Sequence, residues 1–473
     1  MSSETSQRDP EGSARRALAR LTAPESPLMD LARRFESSGR QLLVVGGSVR
    51  DAFLGRDHGD IDLCTDARPE ETSALVESGA EALWLQGVEY GTVGVLFGGA
   101  RFEITTFRTE SYEPGSRHPQ VSFADDITTD LSRRDFTINA LAIRLKDLEL
   151  LDPFGGREDL KAGVIVTPID PKLSFTDDPL RMLRAFRFSS QLGFGLEKST
   201  LSAITELKEL IGSVSAERIR DELTKLLCGQ SPGAALVAAD STGIVELFLP
   251  ELSALKLEQD PVHKHKDVFL HTLAVLEQAP EEEVLRLAAL LHDIGKPRTR
   301  RIEPSGVSFH HHEVVGARMA ADRLKALRYP TRTVAAVAEL ISLHHRFHTY
   351  SLGWSDSAVR RYARDAGPLL ADLNELVRAD CTTRNRAKAA KLAARMDELE
   401  KRIAELAAQE ELEKLRPDLD GKQVMAHLGI PPGPLVGQAL EHLLELRLER
   451  GPLPEGEVYE ELDKWAAGRE LSR

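Results

Sequence analysis

The hydrophobic pattern of this chain changes period once, near residue 170, and that change restricts it to a two-part architecture. From about residue 41 to 165, short β-rich runs (QLLVVGG, DIDLCT, TVGVLFGG, RFEITTF and AIRL) are separated by turn residues, as in a small mixed α/β domain. Past residue 170 no further strand is expected. DPLRMLRAFRFSSQLGF, LSAITELKELI, SAERIRDELTKLL, VLRLAALLHDI and TVAAVAELISLHH all carry apolar residues at helical spacing. The expected class is α+β, a mixed α/β head followed by an all-α body.

At 473 residues the chain exceeds one ordinary core, so roughly two to four domains are expected. PIDPKLSF near residue 170 and LPELSALKLEQDPV near 250–262 are candidate joints. They divide the sequence into a polar, disordered lead-in (1–25), the head (26–168), a helical neck (169–255), a second helical domain (256–382) and a helical tail (383–473). Helical segments recur without a fixed period, which excludes a solenoid. Residues 383–415, rich in Ala, Lys, Arg and Glu, are expected to form a long charged helix or a helix pair.

No run approaches the roughly 18 apolar residues of a membrane span, and MSSETSQRDPEGSARRA has no apolar core of the kind a secretory signal needs. A cytoplasmic protein with no membrane partner is expected. Cys64, Cys228 and Cys381 are widely spaced and odd in number, against both a disulfide framework and a cysteine zinc site. The net charge of −14 argues against a nucleic-acid enzyme, because phosphate contacts require Lys and Arg. Arginines at 133–134 and at 181, 184 and 187 answer part of that objection, since together they suffice for one basic cleft in an acidic body.

The first chemical signal is VVGGSVRDAFLGRDHGDIDLCT. A buried strand, Leu42 to Val45, delivers Gly46 and Gly47 to a turn where bare backbone N–H groups are able to approach phosphate, and a helix should follow. Arg50 comes three residues after Gly47, and Asp60 and Asp62 flank Ile61 in a short strand. A period of two puts both carboxylates on one face, where they suit a pair of Mg²⁺ ions roughly 3.5 to 4 Å apart. Such ions would activate a 3′-hydroxyl and stabilise a triphosphate during in-line attack.

The arrangement GG-x-VRD-x-x-LGR followed by DIDLCT resembles the class II tRNA nucleotidyltransferase and bacterial poly(A) polymerase family, within the polymerase-β-like superfamily. The resemblance continues in order over most of residues 41 to 450. RFEITTFR (101–108) is similar to the next family strand, with Glu103 either an extra carboxylate beside the metals or a structural acid. SRRDFTINALAI (132–143) implies that Arg134 contacts nucleotide phosphates while Asp135 and Asn139 shape the site, and the polar stretch between Arg108 and Arg133 suits a mobile loop. Gly47 and Arg50 belong to the same nucleotide-binding set.

DDPLRMLRAFRF is similar to the family element that reads the incoming base, with Asp177 where Glu is more usual and Asp178 and Arg181 as the reading pair. A carboxylate accepts from an exocyclic amine and a guanidinium donates to the adjacent ring nitrogen, a pattern that cytosine and adenine share. Guanine and uracil reverse it. Arg184 and Arg187 follow at helical spacing, giving three arginines along one flank while Leu180, Leu183 and Phe186 pack inward. SAERIRDELTKLL, with Ser215 as cap, should brace that helix, and the C-terminal tail also resembles the family, where it binds tRNA.

Residues 271–380 hold a second constellation: His271, His292 with Asp293, His312, His344 with His345, and Asp380. This ordered set resembles the HD superfamily of metal-dependent phosphohydrolases, and imidazole with carboxylate suits a divalent transition metal beyond Mg²⁺. Gly295 and Lys296 fit the family loop. Two uses are open: hydrolysis of phosphomonoesters or cyclic phosphodiesters, and a helical scaffold for the tRNA elbow that keeps its ligands without turnover.

The resemblance thus implies a polymerase-β-like head with an HD domain in the body, acting on tRNA with CTP and ATP and not on DNA. The expected reaction adds C, C and A to the tRNA 3′ end with release of pyrophosphate and without a template. Poly(A) synthesis, or addition of only part of CCA, shares nearly all the motifs. A phosphohydrolase whose head merely binds RNA, and a noncatalytic RNA-binding protein, are the readings of other classes.

Overall fold

The computed structural model describes residues 22–56, 61–111, 120–257, 267–304, 306–349, 355–381, 386–410 and 416–469. The chain divides into two compact units, Met1–Phe248 and Leu249–Arg473. Of the expected lead-in, residues 1–21 lie outside the described residues, and so does Asp60.

In the first unit, strand β1 (Leu42–Val45) is buried at every position, because it has neighbours on both edges and cover on both faces. Around it stand β2 (Ile61–Thr65), β3 (Ala80–Trp84), β4 (Thr92–Phe97), β5 (Ala100–Thr106), β8 (Ala142–Arg144) and β9 (Glu149–Leu151). The seven strands run in the order β3-β4-β5-β2-β1-β8-β9, antiparallel except for the β2–β5 pair. On one face Leu43, Val45, Cys64, Phe107 and Leu131 form a buried cluster. At the end of β1, Gly46 takes φ +71 and leads into helix α1 (Gly47–Leu54), which Gly55 closes in a left-handed cap.

Two helices complete the site-bearing part of this unit. Helix α2 (Leu180–Leu192) packs against helix α3 (Ala216–Leu227), whose N–H at Arg218 bonds the Ser215 hydroxyl at 3.4 Å, so the expected cap and brace are present. The stretch between Arg108 and Arg133 differs from the expected loop. β6 (Arg108–Ser111) and β7 (Gln120–Phe123) pair as an antiparallel ribbon, and a short helix, Ile127–Ser132, follows; residues 112–119 lie outside the described residues.

The expectation that strands stop near residue 170 needs correction. β10 (Val164–Ile165) pairs in parallel with β11 (Gly195–Leu196), and the second unit carries a hairpin of β12 (Arg300–Glu303) and β13 (Gly306–Phe309). Each is too short to show a period.

The second unit is otherwise helical. Helices α4 (Val268–Gln278), α5 (Glu283–Leu291), α6 (His312–Ala326), α7 (Thr331–Leu343) and α8 (Leu370–Asp380) carry the histidines and aspartates singled out above, or end immediately before them. The charged segment forms one long helix, Arg386–Glu410, within the described residues. Farther on, Leu419, Val424, Leu443, Leu462 and Trp465 build a separate small core. Among the described residues no helix is long and apolar enough to cross a membrane.

Candidate functional site

A cleft of about 460 Å³ opens in the first unit where β1, β2 and α2 converge. It gathers Gly46, Gly47, Arg50, Asp62, Arg134, Asp178, Arg181, Arg184 and Arg187, every described residue of the expected nucleotide site except Glu103. Glu103 stands on β5 in register with Asp62 on β2, so the two carboxylates share one face of adjacent strands, although Glu103 does not line the cleft. With Arg133 and Arg218 the cleft has seven arginines against Asp62, Asp135 and Asp178. That local excess resolves the difficulty raised by the chain's net charge of −14.

The close packing around Gly46 explains its residue type twice over. Its positive φ disfavours any side chain, and a Cβ there would lie 2.7 Å from the Arg134 Nη1. Arg134 is fixed by Asp130 (Nη2 to Oδ2, 3.3 Å), which also pairs with Arg133 (Nη2 to Oδ1, 2.8 Å). Asp130 is fully buried; burial alone would raise its pKa, but the two guanidinium groups outweigh that and hold it below the usual carboxylate range. The DxD strand is tied to the Gly-Gly turn where the Ser48 hydroxyl meets the Asp62 N–H at 3.4 Å.

A second polar chain runs behind α2. Arg50 donates to Asn139 Oδ1 (2.7 Å), Asn139 donates to Asp135 Oδ1 (2.9 Å), and Arg184 donates to Asp135 Oδ2 (2.6 Å). Glu222 on α3 then pairs with Arg187 at 2.7 Å and with Arg184 at 3.6 Å. Burial depresses the Arg187 pKa to about 10, with Arg184 adding repulsion, and Glu222 opposes both. The guanidinium groups of Arg50, Arg184 and Arg187 also gather over the Phe188 ring, at 5.2, 5.5 and 4.0 Å from its centroid.

The expected arginine flank on α2 is therefore corrected in one respect. Leu180, Leu183 and Phe186 do pack inward, but Arg181 and Arg187 are themselves only 7% and 9% exposed, because acids and carbonyls receive them inside the unit. Arg181 donates to the Ser174 hydroxyl (2.8 Å) and to the Arg133 carbonyl, while Asp178 pairs with Arg218 at 3.4 Å. Asp130, Glu222, Phe188 and Arg218 were missed by sequence reasoning. Asp130 was findable from its spacing to Arg133 and Arg134, and Glu222 as the lone acid on the apolar face with Ile219, Leu223 and Leu226.

The second unit brings all six expected HD-site ligands together beside a cavity of about 520 Å³. His292 and His344 follow the ends of α5 and α7, His312 opens α6, and His271 and Asp380 sit on α4 and α8. His292, His312 and His344 each direct Nδ1 at the carbonyl three residues earlier, on Ala289, Phe309 and Ile341, at 2.8, 2.8 and 2.6 Å. Those bonds make Nδ1 the donor and leave the Nε2 lone pair facing inward, the orientation metal-ligating imidazoles adopt. His292 Nε2 is buried, makes no well-aligned hydrogen bond and faces Asp293 Oδ2 at 3.2 Å, so imidazole and carboxylate are placed to share a cation.

Burial, with the neighbouring His292, depresses the His344 pKa to about 3, and burial likewise lowers His271 and His312. Burial thus pushes these three rings toward the neutral form that metal binding requires, whereas His292 runs the other way: burial lowers its pKa, but Asp293 and Asp380 outweigh that and raise it. Asp293 resists the upward push of burial because His292 and Lys296 hold it well below the carboxylate range. Gly295 is needed for close approach: a Cβ there would lie 2.1 Å from the His312 carbonyl oxygen. Mixed imidazole and carboxylate donors fit a divalent transition metal, whereas the oxygen-only Asp62 face fits Mg²⁺.

Comparison with known proteins finds three family models along the chain. Residues 42–166 match the poly A polymerase head domain, 193–256 the probable RNA and SrmB-binding site of polymerase A, and 268–409 the HD domain. Head and body together define a nucleotidyltransferase whose helical part contains an HD domain. An A-adding tRNA nucleotidyltransferase from Deinococcus radiodurans is 34% identical over 444 residues, covering 89% of this chain and 95% of that protein. The chain belongs to the class II tRNA nucleotidyltransferases, the family of the CCA-adding enzymes.

A CCA-adding enzyme from Bacillus licheniformis is 44% identical over 229 residues, 48% of this chain. The chain spans about half the length of such relatives, 56% of that one. Among solved structures, the CCA-adding enzyme of Bacillus stearothermophilus in complex with CTP superposes with a TM-score of 0.69 at 26% identity, covering 95% of this chain and 99% of that one.

Proposed function

We propose that this protein builds the 3′ CCA end of tRNA from CTP and ATP, releasing pyrophosphate and using no nucleic-acid template. The observation that carries this reading is the convergence of Asp62, the arginine set and the Asp178–Arg181 pair on one cleft. Asp62, with Asp60 and with Glu103 beside it, would hold Mg²⁺, which supplies activation of the 3′-hydroxyl and neutralises the triphosphate.

The chain's own groups do the rest. Gly47 leaves the turn open to phosphate, and Arg50 and Arg134 face the phosphate oxygens. Arg184 and Arg187 extend that positive wall. Asp178 accepts from the exocyclic amine of cytosine or adenine, and Arg181 donates to the neighbouring ring nitrogen. An incoming base must displace Arg218 from Asp178, an ion pair of 3.4 Å whose arginine side chain is 55% exposed and therefore weakly held.

A second reading, addition of the terminal A alone, is favoured by one fact: the relative that aligns along 89% of the chain is an A-adding enzyme. Three tRNA substrates separate the two, one lacking CCA, one ending in C and one ending in CC, each with CTP, ATP or both, and with products resolved at single-nucleotide steps. C, C and A followed by arrest supports CCA addition. Extension only of the substrate ending in CC, by one A, supports the A-adding reading, and a growing A tail overturns both. In the same reading the HD site binds a divalent transition metal through His271, His292, Asp293, His312, His344 and Asp380.

A further inference from the structure

In the head, the row of residues that carries Asp62 does not end at Glu103. Asp62 on β2 is in register with Glu103 on β5, Glu103 with Gly94 on β4, and Gly94 with Trp84 on β3. The four residues therefore stand in one line across the sheet and face the same side, while Val93, Val95, Phe102 and Ile104 are buried on the other. We infer that Trp84, with the guanidinium of Arg101 on its ring, is a stacking platform for a base in the single-stranded 3′ end of the tRNA. This rests on the nucleotidyl-transfer reading of the cleft and adds to it a surface for the second substrate.

Trp84 lies down on the sheet because Gly94 makes room for it. A Cβ at Gly94 would meet the indole Cε3 at 3.3 Å and the Trp84 Cβ at 3.5 Å. Nothing in the backbone asks for glycine there, since Gly94 is in mid-strand without a positive φ. A glycine inside a strand weakens it and marks a place of close approach. Arg101, on the same face of β5 as Glu103, holds its guanidinium carbon 5.0 Å from the indole centroid. Trp84 nevertheless stays 37% exposed, so ring surface remains for a base. Among the described residues no carboxylate pairs with Arg101, which leaves its charge to a phosphate. Ring and cation together match the aromatic platforms and arginines with which proteins hold unpaired nucleotides.

The direction of attack puts the tRNA end on this side. The Gly-Gly turn, the arginines and the base-reading pair lie toward β1 and α2, so the triphosphate belongs there. In-line displacement sets the entering oxygen opposite the leaving pyrophosphate. The 3′-hydroxyl accordingly arrives from the β5 side, past Glu103. Strands about 4.8 Å apart set Trp84 roughly 14 Å from Asp62 along the row, where the nucleotides behind the reacting end must pass. A ring stacks on any base, which suits a 3′ end whose sequence changes as it grows.

The test compares full-length wild type with Trp84→Phe. Tryptophan emission is followed without Mg²⁺ as tRNA ending in CC, or ATP alone, is added, and extension of the same tRNA by ATP is then measured for these two proteins, Trp84→Ala and Arg101→Ala. The expected result is that tRNA, and not ATP, quenches the part of the emission that Trp84→Phe removes. Trp84→Ala should raise the KM for tRNA about tenfold with the KM for ATP unchanged, and Trp84→Phe should recover most of that loss. Arg101→Ala should give a smaller rise with a shallower salt dependence. The quenching is read on the wild type and its conservative variant, so it holds even where Trp84→Ala does not fold. Equal emission changes in the two proteins, or quenching by ATP alone, overturn the inference while nucleotide transfer stands. A wild type that extends no tRNA overturns both.

Discussion

At the scale of residues, Arg134, Arg184 and Arg187 of the head cleft are set by Asp130, Asp135 and Glu222, carboxylates outside the base-reading pair. Glu222, 5% exposed, holds Arg187 at 2.7 Å, and removing one partner of such a pair leaves the other charge buried and unmatched. Glu222→Ala should cost about 3 kcal/mol or more of unfolding free energy in urea titrations; a loss under about 1 kcal/mol would place the pair among those of no consequence. Asp135 gives a pH prediction. Burial raises its pKa, but Arg184 and Asn139 more than reverse this and bring it from 3.8 to about 2. A folded pKa below the unfolded one contributes stability at neutral pH, here about 2 kcal/mol, that disappears as pH falls from about 4 through 2. Asp135→Asn should flatten that part of the acid-unfolding curve.

Cys64 offers a simpler check. Burial, with the charge of Asp130 next, pushes its thiol up to about 12, while Cys228 and Cys381 are partly exposed. Alkylation of the native protein at pH 8 should therefore mark Cys228 and Cys381 and spare Cys64 until unfolding; early labelling of Cys64 would contradict the burial. The residue types of the cleft were legible in the sequence, since Gly46, Arg50, Asp62 and Arg181 stand in short motifs. Their partners were not, because Glu222 lies 35 residues beyond Arg187 and only the packing of α3 on α2 joins them.

At the scale of elements, success followed length. Helices such as Leu180–Leu192 and Thr331–Leu343 repeat their apolar face over several turns and announce themselves. The ribbon β6–β7 is four residues long on each strand, and the pair β10–β11 has two, so backbone pairing made strands in stretches too short for an alternation to stand out. The turn after Asp293 is the element most sensitive to change. Gly295→Ala would press a methyl group against the His312 carbonyl at 2.1 Å and the Gly316 N–H nitrogen at 2.8 Å, both backbone atoms that have no rotamer to escape into. A loss of about 3 kcal/mol in the second unit, with metal content falling in parallel, is the expected outcome; unchanged metal content would show that the turn relaxes without moving its ligands.

At the scale of the whole molecule, an acidic protein carries a cleft with seven arginines, so formal charge says little about what it binds. If RNA phosphates occupy that cleft, the KM for tRNA should rise steeply between about 50 and 200 mM salt; a flat response would assign the arginines to internal pairing alone. The two sites are held by different means. Ion pairs between side chains support the head cleft, whereas imidazoles bonded to carbonyls of their own chain support the HD cluster. Both kinds of support are buried and little screened; what dissolved ions compete with is the contact between the open arginine cleft and the phosphates of a nucleic acid. Ionic strength should accordingly act as a selective control, weakening nucleotide transfer while the metal inventory of the second unit stays constant.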